Sequence, residues 1–424
     1  MERNRPKPLP VLSPQGRVLL PLVTALLCFA LAAGCTNYRA CVPTGLLVSG
    51  AAVDLNSTGE TDYAQEHETF LAAFARIKPA HPEGLNPAGK KHNVLALSGG
   101  GSYGAFSAGI LNGWTASGQR PQFDIVTGVS TGALIATYAF LGPQYDGAVR
   151  QFYTHTTTAD VYHKRLKPVA LCSDAFVSSA PLERAIAATV TPQLLCEVAQ
   201  AHAQGRRLFI GTTNLDTGRL VIWDMGAIAA SGTADSLALY RQVILASASP
   251  PGFFPPVPID VSVNDQRFTE MHVDGGTTAQ VFFRASLVPI DASEFAGGAQ
   301  PLAGSCVYVI VAGKSFPDPK CVEDRVLKIA GRSLSTLTHA QTRNDLVRIH
   351  TLTLVTGMDF RMAAIPQDWP IPEDSMAFNP AAMCSLFERG YQLALAGREW
   401  LDLPPTLEPS QQSIPRSGTR FATP

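Results

Sequence analysis

The chain has 424 residues, of which 46% are hydrophobic and 16% are charged. This length allows one large domain or two to three ordinary ones, with enough apolar residues for a substantial core. The formal net charge is −1, so the composition gives no support for a nucleic-acid-binding protein.

The chain begins with the pattern of a secretory signal. Arg3, Arg5, Lys7 and Arg17 make the first residues basic, and residues 18–33 form an almost unbroken apolar run. Such a run is short for a transmembrane helix and typical of a signal peptide.

The apolar run ends in the sequence LAAGC at residues 31–35, which resembles a bacterial lipobox. The match is imperfect because Ala32, and not a leucine, stands three residues before Cys35. We expect residues 1–34 to be a lipoprotein signal peptide and Cys35 to carry the lipid. Ordinary signal cleavage and an uncleaved anchor are the alternatives. All three place the remaining chain outside the cytoplasm. A lipoprotein would be anchored to a membrane of the cell envelope, which we expect to be the outer membrane, and would face the periplasm.

The cysteine content suits an oxidising compartment. Of eight cysteines, Cys28 lies in the signal and Cys35 is the proposed lipid site. The other six allow up to three disulfides: Cys41, Cys172, Cys196, Cys306, Cys321 and Cys384. The local pairings would be Cys172–Cys196 and Cys306–Cys321, and free buried thiols are the alternative. No cysteine or histidine spacing indicates a metal site.

Beyond the signal, strand-like and helix-like patterns alternate. Residues 35–91 read as a tether with one packing helix at 63–77, residues 92–402 as the main domain, and residues 403–424 as a disordered tail. Strands are predicted at residues 94–97, 124–127, 207–213, 219–223, 267–273, 306–312 and 350–356. This alternation favours an α/β fold with a mainly parallel sheet.

Two glycine-lined turns carry the candidate chemistry. Residues 128–132 read G-V-S-T-G between a strand-like and a helix-like run. Such a turn holds Ser130 in a strained conformation at a helix N-terminus, where free N–H groups favour negative charge. These properties suit a nucleophile, and a simple helix-capping serine is the alternative.

The first turn, at residues 98–104, contains three successive glycines. Gly99, Gly100 and Gly101 are candidate backbone donors for an oxyanion, because no Cβ obstructs their N–H groups. The same residues also satisfy the dinucleotide pattern G-x-G-x-x-G. That pattern requires an acid at the end of the next strand, whereas Asp124 begins its strand.

A serine nucleophile requires a base. Asp274 ends a strand-like run and precedes a glycine turn, from which its carboxylate could reach Ser130. From its position alone, Asp274 could equally be a turn former or a helix cap.

Together these motifs resemble the patatin-like phospholipases. That family has a glycine-rich loop, then G-x-S-x-G, then D-G-G or D-G-A, in this order. Here the three are residues 99–104, residues 128–132 and Asp274-Gly275-Gly276. Residues 212–218 and 246–256 also look similar, and the resemblance extends over about residues 92–400.

The resemblance implies a three-layer α/β/α fold and a Ser–Asp dyad that cleaves acyl esters of phospholipids or other lipids. It makes Ser130 the nucleophile, Asp274 the base and Gly99, Gly100 and Gly101 the oxyanion loop. The supporting motif glycines are Gly104, Gly128, Gly132, Gly275 and Gly276. It implies no cofactor and no metal; the partners would be a lipid substrate and, through the lipid anchor, a membrane.

Two alternatives remain open. The family usually has Arg or Lys where this chain has Tyr103. This difference weakens the case for a strict preference for phospholipids. It also supports an alternative in which the protein is an envelope lipoprotein with a degenerate active site and a binding or structural role. A Ser–Asp–His esterase is also possible by chain order, with His272, His339 or His350 as the histidine.

Overall fold

The computed structural model describes residues 39–43, 57–60, 91–165, 173–263, 266–284, 287 and 302–405. The signal peptide, the lipidation site Cys35, the helix predicted at 63–77 and residues 406–424 of the predicted tail lie outside these residues. None of the described helices is both long enough and apolar enough to cross a bilayer.

The strands follow the predicted α/β alternation. They are β1 (Ser57–Glu60), β2 (Asn93–Leu97), β3 (Ile125–Gly128), β4 (His163–Lys164), β5 (Val177–Ser178), β6 (Arg207–Asn214), β7 (Arg219–Asp224), β8 (Val257–Val263), β9 (Gln266–Asp274), β10 (Cys306–Val311) and β11 (Asp359–Ala364).

The helices connect these strands and cover the sheet. They are α1 (Gly104–Ala116), α2 (Thr131–Leu141), α3 (Asp146–His155), α4 (Thr158–Val161), α5 (Ala180–Thr189), α6 (Pro192–Ala203), α7 (Met225–Ala230), α8 (Ser236–Ser247), α9 (Val326–Thr356) and α10 (Pro380–Leu395).

The central sheet is mixed but mostly parallel. Its main order is β1-β7-β6-β3-β2-β10-β11, and β9 joins β6 with β8 beyond it. The five strands from β6 to β11 in this order are parallel to one another. The strands β1, β7, β8 and β9 pair antiparallel at one side.

Alternating residues of the central strands face two separate apolar cores. In β2, Leu95 and Leu97 belong to one core, while Val94 and Ala96 belong to the other. A strand that is buried on both faces has helices or loops over each of them. Most helices cover the first face, and α9 covers the second through Leu346 and its neighbours. The predicted α/β/α architecture is therefore confirmed.

One predicted strand is wrong. Residues 350–356 (HTLTLVT) have the threonine and valine content of a strand, but they form the last two turns of α9. Ile349, Thr353 and Thr356 are buried at helical spacing, whereas Leu354 is 63% exposed. Tertiary packing of this face outweighs the weak β propensity. The helix ends at Gly357, which has φ 77°.

A strand that the sequence does not predict follows the proline-rich residues 250–256 (PPGFFPP). β8 contains Pro258, which argues against a strand in a sheet interior. However, β8 pairs with β9 at an edge of the described sheet, where a missing N–H is tolerated.

The predicted disulfides are not formed among the described cysteines, which are all free thiols: Cys41, Cys196, Cys306, Cys321 and Cys384. Cys306 is buried at the start of β10, whereas Cys321 lies on an exposed loop. The pairing Cys306–Cys321 is therefore wrong, because closeness along the chain did not bring the two side chains together. Cys172, the predicted partner of Cys196, lies outside the described residues.

Candidate active site

Ser130 and Asp274 meet because two strands end against the same edge of β6. In β3, Gly128 lies opposite Ile210, and in β9, Asp274 lies opposite Thr212. β3 runs parallel to β6 and β9 runs antiparallel to it. Their carboxyl ends therefore point toward each other, and the residues that follow them share one site.

The turn after β3 holds Ser130 in a conformation that side-chain-bearing residues rarely adopt. Its φ is 55° and its ψ is −122°, and it is the only non-glycine residue with positive φ in the described part of the chain. Such a conformation persists only where the surroundings enforce it. Gly132 permits the turn, because a Cβ there would overlap the carbonyl oxygen of Leu97.

Ser247 braces this turn and was missed by the sequence analysis. Its Oγ accepts a hydrogen bond from the Ser130 N–H (3.0 Å) and donates to the carbonyl of Gly211 (2.7 Å). Ser247 is fully buried at the end of α8. It lies within residues 246–256, which resemble a block of the patatin-like family, but nothing in the sequence indicates its hydrogen-bond partner.

Asp274 lies beside the candidate nucleophile. The Ser130 side chain interacts with its carboxyl and favours the ionised form, and the N–H of Gly276 donates to its Oδ1 at 2.7 Å. Asp274 is only 6% exposed. Burial raises the pKa of Asp274 to about 7, although the contacts with Ser130 and with the N–H of Gly276 oppose the rise. The carboxyl thus changes charge near neutral pH, as a general base should.

The glycine-rich loop lies beside Ser130. A Cβ on Gly99 would be 3.2 Å from the Cβ of Ser130. The N–H of Gly99 already donates to the carbonyl of Gln280 at 3.0 Å. The candidate N–H donors to the oxyanion are therefore reduced from three to two, those of Gly100 and Gly101. Gly100 must be glycine, because a Cβ there would overlap the carbonyl oxygen of Ala312.

Tyr103 ties the loop to the segment before α10. Its hydroxyl donates to the carbonyl of Pro372, and the N–H of Ser102 donates to the carbonyl of Ser375 at 2.8 Å. Burial raises the pKa of Tyr103 to about 12. The side chain is therefore neutral at physiological pH and supplies no positive charge beside the loop.

The candidate histidines make their contacts elsewhere. The ring nitrogens of His272 lie 2.9 Å from Thr212 Oγ1 and 3.0 Å from Glu270 Oε2. His339 Nδ1 lies 2.7 Å from the carbonyl of Ser335. The ring of His350 packs edge-on against Phe360 on the far side of the sheet. This geometry favours a Ser–Asp pair over a histidine triad.

The nucleotide-binding alternative also loses support. Asp124 lies at the amino end of β3, where its Oδ2 accepts the N–H of Asn93 at 3.0 Å. The glycine loop follows the carboxyl end of the neighbouring parallel strand β2. Asp124 and the loop therefore lie at opposite ends of the strands. Within the described ranges there is also no group of three or more His, Cys, Asp or Glu residues suited to a metal ion.

An apolar pocket opens at Ser130. Ser130 and Gly101 lie in its wall, and the rest is formed by Thr131, Leu134, Phe152, Val161, Leu182, Ala248, Pro250, Phe254, Met376 and Phe378. The pocket thus has an almost entirely apolar wall directly beside the candidate nucleophile.

Comparison with known proteins agrees with the sequence motifs. Residues 95–287 match the family model described as patatin-like phospholipase. No curated protein matches the chain. Among solved structures, the chain is similar to that of VipD from Legionella pneumophila, with 11% sequence identity and a TM-score of 0.35. That match covers 78% of this chain and 74% of the other.

Proposed function

We propose that this protein is a serine lipid acyl hydrolase with a Ser130–Asp274 dyad, and the match of residues 95–287 to the patatin-like phospholipase family supports this proposal. The observation that carries the proposal is the strained Ser130, at φ 55°, beside the buried carboxyl of Asp274. A serine held at φ 55° beside an acid with a pKa of about 7 is costly to maintain and suits nucleophilic catalysis.

In the first step, Ser130 Oγ attacks the carbonyl carbon of an acyl ester and its proton passes to Asp274. The tetrahedral intermediate carries a negative charge on the former carbonyl oxygen. The N–H groups of Gly100 and Gly101 are the proposed donors to this oxygen. Preorganised donors of this kind contribute roughly 3–4 kcal/mol each to the transition state.

The intermediate then expels the alcohol, which takes the proton from Asp274, and the acyl group remains on Ser130. In the second step, Asp274 accepts a proton from water as the water oxygen attacks the acyl carbon. Breakdown of this second intermediate releases the fatty acid and returns the proton to Ser130.

The pocket beside Ser130 supports a lipid substrate. Side chains such as Leu134, Phe152 and Phe254 offer contacts to hydrocarbon and no partner for a charge. We assign this pocket to the acyl chain of the substrate. Phe254 lies in the pocket wall, whereas its neighbour Phe253 packs against Tyr162.

The proposed location is the periplasmic face of a membrane, through a lipid on Cys35. The segment after this cysteine is fastened to the domain, since Arg39 pairs with Asp216 (2.6 Å) and the carbonyl of Ala40 accepts the N–H of Thr269 (3.0 Å). The four Cα–Cα steps from Cys35 to Arg39 span at most about 14 Å. A lipid on Cys35 would therefore hold the domain close to the bilayer.

Labelling with a fluorophosphonate probe tests the reaction, because the probe reacts with activated serines. The wild-type protein should be labelled at Ser130 and should hydrolyse a panel of lipid esters. The Ser130→Ala variant should do neither, and Ser231→Ala, at an exposed serine, should behave as wild type. A folded wild-type protein that takes no label would support the binding or structural lipoprotein instead.

Metabolic labelling with an alkyne fatty acid tests the anchor. The wild-type protein should carry the label and remain with the membrane fraction, whereas Cys35→Ala should lose both properties. Equal labelling of the two proteins would refute lipidation at Cys35.

A further inference from the structure

Gln280 contacts both halves of the candidate active site. Its backbone carbonyl accepts the N–H of Gly99 at 3.0 Å, which fixes the start of the glycine loop. Its side-chain Nε2 donates to the carbonyl of Gly276 at 2.6 Å. Gly276 is the residue whose N–H holds the carboxylate of Asp274. One residue therefore fastens the proposed oxyanion loop and the turn of the proposed base.

The space around Gln280 leaves little freedom for either loop. A Cβ on Gly99 would lie 3.1 Å from Gln280 Oε1 and 3.2 Å from the Cβ of Ser130. A Cβ on Gly276 would lie 2.7 Å from Gln280 Nε2 and 3.0 Å from Asp274 Oδ1. The glutamine side chain thus fills the gap between the nucleophile, the base and the loop.

Gln280 is itself held from the other face of the sheet. The Oδ2 of Asp345, on α9, accepts the N–H of Gln280 at 2.8 Å and that of Val281 at 3.4 Å. The next residue of α9, Leu346, is buried in the second core, so Asp345 is attached to a well-packed helix. Burial raises the pKa of Asp345 to about 6, and the two N–H groups oppose this rise by favouring the carboxylate.

We propose that Gln280 is a positioning residue that keeps the glycine loop and Asp274 in their reactive arrangement, with Asp345 as its support. This inference rests on the proposed acyl hydrolase function. Donors must lie about 3 Å from the developing oxyanion, and a displacement of about 1 Å costs on the order of 100-fold in rate. Two loops that come from distant parts of the chain need a shared contact to meet that requirement.

The test replaces the amide of Gln280 and leaves its backbone contacts in place. Gln280→Met is close in size but cannot donate to Gly276. We expect kcat on a soluble ester to fall about 10- to 100-fold with little change in KM. The acid limb of kcat/KM should move to higher pH, because a looser Gly276 turn no longer supports the ionised form of Asp274. Gln193→Met, at an exposed glutamine on α6, is the matched control.

Further variants separate positioning from simple loss of stability. Gln280→Glu keeps the shape but brings an acceptor toward the carbonyl of Gly276, so it should lower kcat at least as much as the methionine. Asp345→Ala should lower kcat and move the acid limb in the same direction. Because both residues act on one loop, the double variant should lose less than the product of the two single losses. Melting curves identify any variant that does not fold.

The two proposals fail in different ways. A wild-type protein that neither takes fluorophosphonate nor hydrolyses esters would refute the proposed function, and the role of Gln280 with it. An active wild type with folded Gln280→Met and Gln280→Glu variants of unchanged kcat and unchanged acid limb would refute the positioning role alone.

Discussion

Replacing Asp274 by asparagine should abolish activity and stabilise the protein at neutral and alkaline pH. Burial raises the pKa of Asp274 from its usual 3.8 to about 7. The folded protein therefore holds this proton more tightly than the unfolded chain. The stability contributed by the protonated carboxyl is complete below the unfolded pKa and is lost as the pH rises through about 7.

The magnitude follows from the pKa difference. Each pKa unit corresponds to about 1.4 kcal/mol, so ionisation of Asp274 in the folded state costs about 4 kcal/mol in total. Roughly 2–3 kcal/mol of this loss falls between about pH 5 and about pH 8. Asparagine does not ionise, and its amide oxygen can still accept the N–H of Gly276. The free energy of unfolding of Asp274→Asn relative to wild type should therefore rise by roughly 2–3 kcal/mol over this interval.

Urea unfolding of both proteins at about pH 5 and about pH 8 measures this difference. Asp368→Asn, at an exposed carboxyl, is the control and should show no such trend. Equal pH dependence in wild type and Asp274→Asn would refute the reasoning, since it would mean that the carboxyl ionises in the folded protein as freely as in water. Such a result would also remove the basis for a base that is active near neutral pH.

The remaining predictions concern the nucleophile and the pocket. For wild type, kcat/KM should rise with pH through about 7, because Asp274 must be ionised to accept a proton; a profile that is flat from about pH 5 to 9 would contradict this role. Ser130→Gly should be more stable than Ser130→Ala by about 1 kcal/mol, because glycine relieves the strain at φ 55°; thermal melts that rank the two in the opposite order would show that the turn is not strained. Leu134→Trp should fill part of the pocket and lower kcat/KM for p-nitrophenyl laurate far more than for the acetate ester; an equal loss on both esters would exclude the pocket as the acyl site.

The short glycine motifs were readable from sequence because their geometry is local. A serine between two glycines, after a strand and before a helix, can adopt only a narrow range of backbone conformations, and Ser130 has the strained conformation that the motif predicts. Dependence on local patterns also explains why the strand prediction at residues 350–356 is wrong. Residues 350–356 have the composition of a strand, and only their burial against the second core makes them helical.

Contacts between distant parts of the chain could not be predicted from such local motifs. The sequence suggested Asp274 as a base but could not place it, since it lies 144 residues after Ser130. Its position depends on β9 pairing antiparallel to β6 just beyond the end of β3. Ser247 and Gln280 have no sequence signature as site residues, because their importance comes from the backbone groups that they contact.

The sequence by itself thus determined the strained serine turn, the glycine loop and the alternation of strands and helices, since each follows from the allowed conformations of a few neighbouring residues. Only the tertiary structure decided which acid meets Ser130, which loop donors are free and where the apolar pocket opens. These features depend on strand pairing and packing between distant segments, whose energies are not encoded in any short stretch of the chain.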